Sequence, residues 1–195
     1  MVKHDPSKAN LTFEEWMERK KAEEREKTHG AERVSGPRVH ALYDVAQALD
    51  RCCFDRYFKH VLPTFYYIPP DIEAAHSEAR GVYIPTGGIM IRRRDYDAHG
   101  IDDDMINTIY HEMVHFYDDM KRIQDTKDGG GVYHTAAFAA SCQKNGGICW
   151  FSDSVTGFSR AALTPETLAA VKALVRRWVK TDLDFVEDRL STWAT

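Results

Sequence analysis

NTIYHEMVHFYDD, residues 107–119, sets two histidines four positions apart with a glutamate directly after the first. Read as a helix, the stretch stacks His111 and His115 one above the other on a single face. Two imidazoles so placed can share one zinc ion, and Glu112 falls beside them. Metal-assisted hydrolysis needs these parts: a Lewis acid for water and carbonyl, and a carboxylate that accepts a proton and passes it on. With one residue added at each end, the stretch carries Ile106, Ile109, Met113, Phe116 and Met120 at core-facing spacing. The histidines border that stripe, as residues on a cleft floor would. Asp102 to Asp104 stand where the helix should begin, as cap and as carboxylates at its positive end. The helix is expected to run to about Met120.

A hydrolytic zinc site takes three protein ligands and leaves one position open. His134 is the best third candidate, because it follows the glycine loop DGGG (128–131) and opens the alanine-rich stretch HTAAFAASCQKN. Asp118, Asp119, Asp125, Asp128 and Glu166 compete for the place, although Asp118 and Asp119 should point away from the face that His111 and His115 define. His4, His29, His40, His60, His76 and His99 stand alone in polar arms or near element ends, where surface histidine is commonest.

Outward from this motif the chain reads as α+β. Residues 11–33 carry mixed charges at helical spacing and little apolar surface, so residues 1–37 are expected to form a charged N-terminal arm. Residues 38–195 then make the domain. Val39 to Val61 reads as one amphipathic helix through Leu42, Val45, Leu49, Cys53 and Tyr57, stopped by Leu62-Pro63. TFYYI (64–68), GVYIP (81–85) and GGIMIRR (87–93) read as short strands of a small, mostly antiparallel or mixed sheet packed against helices. GGIMIRR could be an edge strand on which an extended substrate pairs. ICWFS (148–152) is extended, and Thr164-Pro165-Glu166 opens a last amphipathic helix with a cap and a first-turn proline.

The whole chain narrows the function classes. A length of 195 residues suits one domain with an appended arm, and 29% charged residues is ordinary for a globular protein. A net charge of −4 argues against a main grip on a phosphate backbone. Arg92 to Arg94 and Arg176-Arg177 are short basic runs, so DNA contact is a secondary expectation, disfavoured by net charge. No run approaches about 18 apolar residues, so no membrane span is expected. The start, MVKHDPSKAN, lacks the apolar core of a secretory signal, which suggests a cytoplasmic protein. Cys52, Cys53, Cys142 and Cys149 form no C-x-x-C and are expected as reduced thiols.

Three pieces in order carry a family likeness: LYDVAQALDRCCFDRYFKHVLP (42–63), YHEMVHFYDDM (110–120) and HTAAF (134–138). Together they resemble the SprT-like (Spartan-type) family of zinc metallopeptidases. The resemblance implies a zincin-like fold in which the HExxH helix and a following short helix form the site. It implies one Zn2+ per chain on His111, His115 and His134, with Glu112 as general base in the hydrolysis of a protein or peptide substrate. Tyr110 and Tyr133 are candidate oxyanion partners by sequence proximity alone. Two rival readings stay open. One is a non-catalytic binding module that zinc stabilises and that docks a partner through its helices. The other is a zinc hydrolase acting on something other than peptide, although GGGV lacks the Lys-Ser/Thr ending of a phosphate loop.

Overall fold

The computed structural model describes residues 31–58, 61–75, 80–84, 88–127 and 133–192. The elements in order are α1 (Pro37–Cys52), β1 (Thr64–Tyr67), α2 (Pro70–Ala75), β2 (Gly81–Ile84), β3 (Gly88–Ile91), α3 (Arg93–His99), α4 (Asp103–Lys121), α5 (Ala136–Lys144), β4 (Gly147–Trp150), β5 (Arg160–Leu163) and α6 (Pro165–Thr192). This is an α+β arrangement of small sheets against helices. Of the expected arm, residues 1–37, the first thirty lie outside the described residues and the end does not. Val34 is buried, and the stretch from Glu32 to Val34 runs along β1, with the Val34 amide donating to Phe65 (3.0 Å) and the Tyr67 amide to Glu32 (2.8 Å).

Helix α4 organises the core. Asp102 caps it by accepting from the Met105 amide (2.7 Å), which satisfies a donor that every helix start leaves open. Ile106, Ile109, Met113 and Phe116 are buried as their spacing predicts, and Tyr110 and Val114 widen the stripe. Met120, expected on that stripe, is instead 41% exposed. It sits in the last turn, just before Arg122 ends the helix in the left-handed conformation (φ 57°).

The stretch expected as one helix from Val39 to Val61 is divided. α1 stops at Cys52 because buried Asp50 offers the chain other partners. Its carboxylate accepts from the Phe58 amide (2.9 Å) and its carbonyl from the Arg56 amide (2.9 Å), across a turn with Asp55 and Arg56 at positive φ. Phe54 and Phe58 still reach the core, now from that turn.

The first sheet is mixed, in the order β1-β3-β2, with β1 parallel and β2 antiparallel to β3. The expectation that GGIMIRR forms an edge is therefore corrected: β3 is central, all four of its residues are buried, and β2 is the outer strand. Alternation explains the two faces. Phe65, Ile89 and Ile91 join the main core under α1 and α4, while Tyr66, Met90 and Ile84 form a smaller cluster on the other face. The second sheet, β4 with antiparallel β5, includes a strand the sequence did not announce, since RAAL has little β-forming character. α6 begins as expected, with Thr164 accepting from the Thr167 amide (3.2 Å), and packs along α1 through buried Val171. All four cysteines are free. Among the described residues no helix is long and apolar enough to cross a membrane.

Candidate metal centre

Helical periodicity brings His111 and His115 together, with their Nε2 atoms 3.2 Å apart. His134 arrives from the extended segment just before α5. Backbone bonds fix that segment: the His134 amide donates to Thr156 (3.0 Å) and its carbonyl accepts from the Phe158 amide (3.1 Å). Its Nε2 lies 3.1 Å from that of His111 and 3.0 Å from that of His115. The ring centroids stand 4.9–5.0 Å apart, so the rings splay outward from a shared centre with the Nε2 atoms innermost. Phe138, fully buried and one turn after His134, lies against all three rings at 4.6–4.8 Å and forms the floor.

This arrangement fits a metal ion. A proton on one Nε2 would point along its ring axis at the common centre and could not bond to both neighbours. Three nitrogen lone pairs facing one another repel unless a cation lies among them. In a tetrahedral site with Zn–N bonds of about 2.0–2.1 Å, donor nitrogens stand roughly 3.3–3.4 Å apart, close to the spacing found here. The surroundings of His111 and His115 agree. Burial, and then the neighbouring His115 and His134, hold the pKa of His111 well below the ordinary imidazole value, so its lone pair is available. The Nδ1 of His115 lies 2.5 Å from Asp125 Oδ2, which anchors the ring and leaves Nε2 free to bind metal.

The competing ligands go elsewhere. Asp125 stands behind His115 as its hydrogen-bond partner. Asp118 is fully buried and accepts from Ser141 Oγ (2.6 Å), and Asp119 accepts from the Tyr83 hydroxyl (2.7 Å). Glu166 lies in the first turn of α6, and Asp128 is outside the described residues. Of the two candidate oxyanion partners, Tyr110 is committed to the core: its ring is fully buried and its hydroxyl donates to the Cys142 carbonyl (2.8 Å). Tyr133 is half-buried beside His134, with the Lys127 ammonium 4.0 Å from its ring.

Glu112 is buried, and the Tyr83 backbone amide donates to its carboxylate. Burial pushes its pKa up to about 7; Asp125 adds to the rise, while His115 and the Tyr83 amide oppose it. A carboxyl group in this range can both take and give a proton near neutral pH, and a cation on the three histidines would lower it from there. Sequence reasoning missed three contributors: Asp125 as a partner of His115, Phe138 as the floor, and Tyr83. Of these only Phe138 left a local trace, four residues after His134 as i and i+4 of a turn.

The arginine run is paired with neighbouring carboxylates, inside the fold for Arg92 and at the surface for Arg93 and Arg94. Arg92 is buried against Glu73 (3.6 Å) and Asp95 (3.7 Å), Arg93 pairs with Glu32 (2.6 Å), and Arg94 pairs with Glu73 (3.3 Å). No family model, curated protein or solved structure matches this chain.

Proposed function

We propose that this chain is a zinc metallopeptidase of the SprT-like, zincin kind, with zinc held by His111, His115 and His134. The observation that carries the reading is the convergence of three Nε2 atoms within 3.2 Å, with buried Glu112 on the same helix. Three imidazole nitrogens, with a fourth position taken by water, are a donor set of hydrolytic zinc. Bound there, zinc supplies Lewis acidity, which brings the ionisation of water toward neutral pH and polarises a carbonyl. Glu112 accepts the proton as the water oxygen bonds to the scissile carbonyl carbon. It then gives that proton to the amine as the C–N bond breaks. Phe138 keeps the far side of the imidazoles dry, and Asp125 holds His115 in the binding tautomer. The substrate is protein or peptide. The arginines of the densest basic run are already paired with carboxylates, which supports leaving DNA out of the substrate grip.

Zinc analysis of protein purified without chelator, together with cleavage of an unfolded protein such as casein, tests this. Wild type should carry one zinc per chain and cleave. His134→Ala should lose most of the metal, and Glu112→Gln should keep the metal and lose cleavage. A metal-free wild type sinks the reading. A Glu112→Gln protein that still cleaves removes Glu112 as the proton carrier, and a zinc-loaded wild type that cleaves nothing makes the chain a zinc-stabilised binding module instead.

A further inference from the structure

We propose that β2 is a positioning strand for Glu112, with Gly81 as its critical residue; the catalytic part of this inference rests on Glu112 being the proton carrier. Residues 81 and 83 share a face of the strand, and that face meets α4. A Cβ built on Gly81 would fall 2.8 Å from Oε1 and 2.9 Å from Cγ of Glu112, and 2.7 Å from Cγ2 of Thr108. These distances are shorter than side chains tolerate. The Glu112 carboxylate therefore occupies the volume that any other residue at position 81 would fill.

Two residues on, Tyr83 completes the hold. Its backbone amide donates to Glu112, its ring lies parallel to that of His115 (6.2 Å between centroids, 17°), and its hydroxyl donates to Asp119. One strand thus contacts the proton carrier and one metal ligand, and sets them relative to each other. Glycine weakens a strand and commonly marks a place where another group comes close. Here that group is the carboxylate. On the opposite face Val82 packs against the smaller cluster with Tyr66 and Met90, so the two faces of β2 can be tested separately.

The test combines a double-mutant cycle with kinetics on zinc-loaded protein. Gly81→Ala, Glu112→Ala and the pair are made in a Thr108→Ser background, which removes Cγ2 and keeps the hydroxyl. Denaturant midpoints should fall clearly for Gly81→Ala when Glu112 is present, and by less than half as much when it is absent. On casein, Gly81→Ala in the otherwise native chain should lower kcat at least tenfold with zinc content and KM unchanged. Val82→Ala should cost stability and leave kcat unchanged. Additive midpoints, or a kcat for Gly81→Ala equal to wild type, overturn the proposal. A zinc-loaded wild type that cleaves nothing, alongside a clear coupling in the cycle, removes the peptidase reading but upholds the placement of Glu112 by Gly81.

Discussion

Asp125 shows what a single residue can contribute to a candidate metal site without being one of its ligands. Its carboxylate lies 2.5 Å from His115 Nδ1, and both side chains are largely shielded from water. A partner of this kind fixes ring orientation and raises ligand basicity, and losing one typically costs about 10–100-fold in metal affinity. Asp125→Asn should therefore weaken zinc binding by roughly that factor, measured by competition with a chromophoric chelator, while the fold is retained. Affinity equal to wild type would mean that Asp125 does not orient the ring. The sequence offered Asp125 only as one acid among several, because nothing local records that the chain turns after Arg122 and brings position 125 back beside position 115.

At the scale of elements, the contact between α4 and α5 contains a second buried acid. Asp118 is fully covered, Ser141 Oγ donates to its Oδ1, and its Oδ2 has no hydrogen-bond partner among the described residues. Burial pushes its carboxyl up to about 7 from an ordinary 3.8, Asp125 adds to this, and the Ser141 bond, His115 and Lys144 oppose it. The sign follows from linkage: between these values the native state keeps a proton that the unfolded chain has lost. Stability therefore falls as pH rises from about 4 to about 7 and levels off above. Glu112 has the same sign in metal-free protein, so Asp118→Asn should reduce the slope without abolishing it. The part removed is at most about 4 kcal/mol. Denaturant midpoints of the apo proteins at about pH 5 and about pH 8 check this. A difference between the two conditions as large as in wild type would show that Asp118 is ionised in the folded protein.

At the scale of the molecule, the three histidines bring together distant parts of the chain, two from α4 and one from a segment that is itself bonded to the chain near Thr156 and Phe158. Zinc that binds only the folded arrangement must stabilise it, by about 2.7 kcal/mol at 100 times its dissociation constant. For a chain of this size that is a rise of roughly 5–10 °C in Tm. Thermal melts across a zinc titration should show the rise in wild type and none in His134→Ala. An equal response in both would place the stabilising ion elsewhere.

What the sequence determined by itself was local. The 3.6-residue repeat put His111, Glu112 and His115 on neighbouring turns of one helix, Asp102 capped that helix, and short runs of β-branched and aromatic residues bounded by glycine and proline marked β1, β2 and β3, because each of these depends on near neighbours in the chain. Strand order, the break after Cys52, the pairing of Arg92 to Arg94 and the placement of Asp125 beside His115 and of Gly81 beside Glu112 were decided only by tertiary structure. Those outcomes depend on how both faces of a sheet and both ends of a loop are buried at once, and no window of neighbouring residues encodes that balance. His134 stands between the two: its type and the Phe138 one turn later were visible in the chain, but its meeting with His111 and His115 depended on packing α5 against α4.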